Sequence, residues 1–363
     1  MDEKTVMNPL ARRIADLIAA DGPLSVAQFM TICLHDPRGG AYAARQNIGR
    51  DFITAPEISQ TFGELLGLWV VQSWHDQGRP EGSRLCELGP GRGTLMSDAL
   101  RAINASAPEL LDNGDVVMVE SSPVLQAAQR EKLKTAAADV CWVERFDETL
   151  ADRPLFLLAN EFFDCLPVRQ FVKTERGWCE RLVTVEHDRL AFALAPVPYA
   201  AVPSDRAEAP DGGVYEISPS ALALSGEIAQ VVAARGGAAL IVDYGYDEPG
   251  FGETLQALAQ GQYIDVLAEP GESDLSAHVD FMGLAKAGHD GGAQVCGPVT
   301  QCNFLAELGI GPRAERLMLA NMPQARDIAA AVDRLVNPAA MGALFKVLAF
   351  APKNAPPPPG FSN

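Results

Sequence analysis

The sequence predicts an α/β fold: a mostly parallel sheet with helices on both faces. Two observations carry this reading. From Arg84 onward, short apolar runs alternate with helical ones, giving strands at 84–88, 115–120, 140–143 and 154–160 with helices at 94–106 and 122–134. Parallel strands need crossover connections, and helices of this length supply them. The second observation is Glu87-Leu-Gly-Pro-Gly-Arg-Gly93, where the first strand breaks into three spaced glycines and a helix follows. Glycine reaches positive φ without a Cβ clash and lets the backbone approach a ligand closely.

The remaining elements follow in order. Residues 9–20 and 25–34 have helical periodicity, with Asp21-Gly-Pro between them and Ser25 placed as an N-cap. Residues 35–49 are rich in Gly and Arg and read as a loop. Asp51-Phe-Ile-Thr-Ala-Pro-Glu57 then leads into a long apolar helix from about 58 to 77. Residues 1–80 are therefore expected to form an N-terminal helical cap with a lid loop. The sheet domain is expected over 81–350, interrupted at 165–215 by a β-rich insertion with turns at Arg176-Gly177 and His187-Asp188. Residues 219–235 read as helix and Ala238 to Asp243 as a buried strand. Helices follow near 279–288 and 300–309, with strands near 293–296 and at 344–350. The tail, 351–363, contains Pro356 to Pro359 and is expected to be disordered.

A chain of 363 residues, 48% hydrophobic and 21% charged, is long enough to bury a sizeable core. The net charge of −18 opposes capture of nucleic acid, which needs basic surface. The same field attracts cationic ligands and basic protein segments. No run of about 20 apolar residues is present, so no membrane insertion is expected. The first residues, Met-Asp-Glu-Lys, resemble neither a signal peptide nor a transit peptide, which leads to the expectation of a bacterial cytoplasmic protein. Seven cysteines without a Cys-x-x-Cys pair, and histidines without a His-x-x-x-His pair, give no metal site. Cys86 and Cys141, set in apolar strands, are expected to be small buried hydrophobes.

The chemistry is expected at the carboxyl ends of the strands, where ligands bind open α/β sheets. The second strand ends at Glu120, a place suited to a carboxylate accepting hydrogen bonds from vicinal ribose hydroxyls. The fourth ends Asn160-Glu-Phe-Phe-Asp164, and Asp243 closes the fifth. Two acids there suit a guanidinium, whose planar fork of donors pairs with carboxylates. Phe162 and Phe163 are apolar walls. His278 is a candidate acid–base group or substrate contact, and Thr54, Pro56 and Glu57 are candidates for a lid over the cofactor.

Glu-x-Gly-x-Gly-x-Gly resembles the first motif of class I S-adenosylmethionine-dependent methyltransferases, and differs from the Gly-x-Gly-x-x-Gly of dinucleotide-binding folds. Further blocks run in order along nearly the whole chain: Asp51 to Gln60, Glu87 to Met96, Asn160 to Asp164, Asp243 to Gly245, Thr254 to Gln256, Pro270-Gly271, His278 to Phe281 and Gly342 to Lys346. With them the chain resembles the MidA-like family of S-adenosylmethionine-dependent methyltransferases. The resemblance implies a Rossmann-like, seven-stranded methyltransferase sheet with its last strand antiparallel. It implies S-adenosyl-L-methionine as cofactor, held by Glu87, Gly89, Gly91, Gly93 and Glu120, with Asn160, Glu161 and Asp164 facing the substrate; Asn160, Thr54 and Pro56 are also candidate cofactor contacts. Glu161 and Asp164 would be catalytic, with Phe162, Asp243 and His278 binding substrate. For the eukaryotic member it implies symmetric dimethylation of an arginine on a core subunit of respiratory complex I. The partner would then be a protein substrate, and a homo-oligomer is compatible with this reading. Arg50, Cys165 and Cys302 depart from the family's usual glycine, alanine and glycine. The alternatives are a small-molecule methyltransferase and a non-catalytic assembly protein on the same fold, with a NAD-dependent oxidoreductase disfavoured by the glycine spacing.

Overall fold

The computed structural model describes residues 7–44, 54–201, 209–248 and 250–361. Arg50 and the start of the Asp51-Phe-Ile-Thr block lie outside them. The chain divides into two units. One joins Met1–Asp51, Cys165–Ala221 and Glu248–His278; the other joins Phe52–Asp164, Leu222–Asp247 and Val279–Asn363. The division therefore falls near residue 51 and not at the expected 80.

The second unit holds the main sheet. Its strands are β1 (Arg84–Leu88), β2 (Asp115–Val119), β3 (Val140–Val143), β4 (Leu155–Asn160), β5 (Gly237–Tyr246), β6 (Gln294–Thr300) and β7 (Phe345–Ala351). They are ordered β3-β2-β1-β4-β5-β7-β6. The first five run parallel. β7 lies antiparallel to both β5 and β6. Val279–Asp280 pairs in parallel with the end of β5, so the sheet has eight strands where seven were expected.

Burial explains the strand sequences. β1 and the first five residues of β4 are buried throughout, as apolar runs covered on both faces should be. β3 is an edge strand, and its alternation leaves Cys141 exposed, against expectation, while Cys86 in β1 is buried. The chain runs from β1 outward through β2 to β3, then returns to the other side of β1 as β4. The order reverses there, and in open α/β sheets the ligand crevice lies at such a point, beyond the carboxyl ends of the strands, here β1 and β4.

Three helices flank this crevice: α1 (Gln60–Asp76), α2 (Thr94–Ser106) and α3 (Pro123–Leu133). Ser59 caps α1 by accepting the Thr61 N–H. α1 buries most of its circumference, including Phe62, Leu66 and Trp69. It lies against α2 so closely that a Cβ on Gly67 would stand 2.7 Å from the Ala99 carbonyl oxygen. The short helix Ala55–Ile58 precedes α1, and both belong to the sheet unit.

The first unit packs helices Pro9–Asp21 and Val26–His35 with the inserted strands 169–174, 177–186, 189–194 and 214–217. Asn8 caps the first helix, and Ser25 with Gln28 forms a capping box on the second. A three-stranded sheet, Gln256–Ala259, Gln262–Ile264 and Asp274–Ser276, belongs to the same unit and was not foreseen. Among the described residues, no helix is long and apolar enough to cross a membrane.

The tail up to Phe361 is docked within the sheet unit, which corrects the expectation of disorder. The Trp69 indole N–H donates to the Pro359 carbonyl at 3.0 Å. Phe361 packs on Phe304 with ring centroids 5.5 Å apart. Proline lowers the entropy lost on docking, so few contacts suffice. Deletion of residues 358–363 should therefore destabilise the protein by about 2–4 kcal/mol. A urea midpoint unchanged by the deletion would show that the tail contributes nothing.

Candidate active site

The glycine turn leaves β1 with Gly89, Gly91 and Gly93 at φ of 57°, 53° and 75°. The three do different work. A Cβ on Gly89 would lie 2.6 Å from the Phe162 ring, so this glycine makes room for the loop after β4. A Cβ on Gly91 would meet nothing within 4 Å, so it would enter the open crevice. Gly93 is the left-handed residue that opens α2.

Pairing register sets which acids share a face. Glu87 is level with Met118 in β2 and Leu158 in β4. Strand side chains alternate with period two, so Glu87, Glu120 and Asn160 lie on one face at the carboxyl edge. Glu87 is buried, and burial pushes its carboxyl up to about 8, against the pull of the Met96 backbone N–H. Among the described residues its Oε2 has no hydrogen-bond partner, and neither has Asn160 Oδ1. Buried acceptors without partners are rare and costly, and both stand at this edge. Glu120 is buried too. Burial raises its carboxyl, opposed by the Ser122 N–H at 2.8 Å and the Gln129 amide at 3.2 Å.

The loop after β4 hangs on Asp243. This side chain is fully buried, and its Oδ2 accepts the backbone N–H groups of Phe162, Phe163 and Asp164 at 3.1, 2.9 and 3.2 Å. Its Oδ1 accepts the Tyr244 N–H at 2.9 Å. Burial and the nearby Asp164 and Glu161 carboxylates hold Asp243 well above the ordinary carboxylate range, against these donors. Asp243 was expected to bind substrate; instead its oxygens are engaged by backbone. The Tyr244 hydroxyl donates to Asp164 Oδ2 at 2.7 Å, a contact that sequence reasoning missed.

Glu161 adopts φ 50°, a left-handed conformation that costs a non-glycine residue energy and that clusters at functional sites. Its own N–H donates to the Val242 carbonyl at 2.9 Å. Its Oε1 accepts the Ala55 N–H at 2.9 Å and the Asn160 amide at 3.1 Å. Desolvation pushes its carboxyl up to about 7, opposed by those two donors and by the charge of Arg334. Thr54 and Pro56 enter the site only through this link: they flank Ala55, and Thr54 makes no side-chain cap. Glu57 accepts the Thr94 hydroxyl at the start of α2, and Lys132 donates to that hydroxyl.

Glu87, the three glycines, Glu120, Asn160, Glu161, Phe162, Asp164, Asp243, Thr54 and Pro56 thus all belong to the sheet unit. His278 belongs to the other unit. There its N–H donates to Thr254 Oγ1 at 2.9 Å, and burial lowers its imidazole, with the Glu216 carboxylate opposing. Cys302 is an ordinary residue of the helix Gln301–Glu307.

A family described as S-adenosyl-L-methionine-dependent methyltransferases matches residues 65–299. A zebrafish (Danio rerio) relative, protein arginine methyltransferase NDUFAF7, mitochondrial, is 36% identical over 94% of this chain and 86% of its own length. The Homo sapiens protein of the same name is 36% identical over 95% of this chain and 84% of its own. A crystal structure from Burkholderia thailandensis, bound to S-adenosyl-homocysteine, is 30% identical with a TM-score of 0.83. It covers 99% of this chain and 96% of that one. A glycine turn at a sheet switch point, the family match and these near full-length relatives lead to one conclusion: the chain belongs to the S-adenosyl-L-methionine-dependent methyltransferases.

Proposed function

We propose that this methyltransferase transfers a methyl group to an arginine guanidinium of a protein. The observation that carries the reading is the Asn160–Asp164 loop, which Asp243 holds beside the glycine turn with two carboxylates on it. The names of the relatives support the arginine target. The family resemblance supports a core subunit of respiratory complex I as the protein.

The residues fit the cofactor. Bound S-adenosylmethionine supplies a methyl carbon activated by a sulfonium. Glu87 Oε2 and Asn160 Oδ1 are buried acceptors awaiting donors, as the ammonium of its amino-acid end requires. The crevice beside Gly91 gives the ligand room. Glu120 accepts the ribose hydroxyls.

On the substrate side, Glu161 and Asp164 receive a cation. No hydrogen bond engages Glu161 Oε2 among the described residues, so this oxygen is open to a guanidinium N–H. Paired there, the guanidinium is oriented for in-line attack, which is the main demand of methyl transfer. Glu161 Oε2 would take the proton that the guanidinium nitrogen loses on methylation. A carboxyl near 7 suits that role. Asp164, fixed by the Tyr244 hydroxyl, supplies the second charge. Asp243 acts through the loop. The chain's net charge of −18 favours encounter with a basic segment.

Three outcomes are expected. Gly91→Val should weaken S-adenosylhomocysteine by about 100-fold in calorimetry, since the branched side chain fills ligand space and φ 53° strains it. Retained affinity would remove the turn from the site.

Binding should also release a proton near pH 7. Glu87, held near 8, is mostly protonated without ligand, and a neighbouring ammonium shifts it to the charged form. Affinity should therefore rise with pH up to about 8 and level off. Binding enthalpies measured in buffers of different ionisation heat should reveal the proton, and Glu87→Gln should abolish it. Buffer-independent enthalpies would contradict the contact.

Glu161→Gln should leave S-adenosylhomocysteine affinity intact and slow methyl transfer to an arginine peptide by about 100-fold or more. It should also remove a rise of kcat/KM with pH through about 7. Unchanged turnover would take Glu161 out of the reaction.

A further inference from the structure

Gln129 stands outside the residues that the sequence singles out, yet it touches both sides of the cofactor crevice. It lies in α3 and is fully buried. Its Nε2 donates to the Gly91 carbonyl at 2.8 Å and to Glu120 Oε2 at 3.2 Å. Its Oε1 accepts the Trp142 indole N–H at 2.8 Å. An indole only donates, so the amide has one orientation: oxygen toward Trp142, nitrogen toward the turn and the carboxylate. The Trp142 ring is itself covered by the Arg130 guanidinium, 4.6 Å from its centroid. The Gln129 stem lies beneath Gly93, where a Cβ would come 3.3 Å from its Cγ.

This arrangement does more than satisfy a buried amide. A carboxylate on a strand end is free to turn about its last bond unless both oxygens are held. In Glu120 the Ser122 N–H holds Oε1 and Gln129 holds Oε2. Each oxygen keeps acceptor capacity beyond the bond that holds it. A pinned carboxylate can therefore accept two adjacent hydroxyls together, and a rotating one must lose entropy to do so. The same amide fixes the carbonyl of Gly91, so the turn and the carboxylate share one anchor.

We propose that Gln129 is a positioning residue that ties the glycine turn to Glu120 and thereby sets selection for the vicinal hydroxyls of the cofactor's ribose. The proposal rests on the reading that Gly91 and Glu120 hold the cofactor. It assigns Gln129 no contact with the reacting atoms.

Calorimetric titration of the full chain with S-adenosylhomocysteine and with its 2′,3′-dideoxy analogue tests this. The wild type should prefer the hydroxylated ligand by about 10-fold or more. Glu120→Ala should abolish that preference. Gln129→Leu should weaken S-adenosylhomocysteine by about 10-fold and shrink the preference to roughly 3-fold or less. Trp142→Phe keeps an aromatic ring but removes the indole N–H that orients the Gln129 amide, so it should reduce the preference in the same direction. It also keeps the test decisive if Gln129→Leu fails to fold. A residue that only supports the fold would lower the melting temperature and weaken both ligands equally. A preference retained in the folded variants would overturn the role of Gln129 while leaving Glu120 in place. A wild type without preference would overturn the ribose reading of Glu120, and the proposal with it.

Discussion

The site depends first on one buried carboxylate. Taking Asp243 out of water costs several kcal/mol unless donors replace the lost hydration. The donors it finds are four backbone N–H groups, three of them from consecutive residues of one loop. Three N–H groups can converge on one oxygen only if the loop wraps around it. That wrap places Glu161 in the left-handed region and lays Phe162 against Gly89. The strain at Glu161 is thus offset by hydrogen bonds at Asp243, and the Phe162 contact explains why position 89 lacks a side chain.

The second constraint is charge. Glu87, Glu120, Glu161, Asp164 and Asp243 all stand at the carboxyl edge of one sheet. Burial raises Glu87, Glu120, Glu161 and Asp243 together. An edge assembled this way is electrostatically unfinished, since it has concentrated acceptors and few cations of its own. Under the proposed function two positive groups would complete it: the charged end of the cofactor, and a guanidinium. Their arrival returns the carboxyls to the ionised state, so binding and protonation are linked at this site.

Much of this was legible in the sequence. The alternation from Arg84, the glycine turn and the acids at strand ends are short-range patterns, and they placed β1 to β5 and the acids at their carboxyl ends. What stayed hidden has physical reasons. The helix Ala325–Val336 carries an apolar stripe, Ile328, Val332, Leu335 and Val336, that the sequence reading passed over, although only Leu335 is buried outright. The strands between 256 and 276 are three or four residues long and carry too little alternation to be seen. The tail's proline run suggests disorder by composition, and its docking depends on Trp69 and Phe304, far away in sequence. Asp243 looked like a ligand-facing acid because chain order cannot say which loop its oxygens meet. Gln129 left one faint sign: it is a polar residue four positions before Leu133 on the buried side of α3.

The two halves of the reaction draw on different parts of this architecture. Glu87, Glu120 and Asn160 are placed by strand register, which hydrogen-bonded ladders on neighbouring strands fix. Glu161 and Asp164 are placed by a loop beyond the ladder of β4, tied by Asp243, Tyr244, the Val242 carbonyl and Ala55. In the proposed reading the cofactor side therefore rests on strand register and the substrate side on side-chain and loop contacts. Asn160 sits where the two meet: its backbone belongs to β4, while its amide nitrogen reaches Glu161 and its amide oxygen is left free. A donor group of the cofactor that binds this oxygen would orient the Asn160 amide and, through its nitrogen, the Glu161 carboxylate. The occupied cofactor site would then align the group that receives the arginine, which couples the order of binding to the chemistry through one side chain.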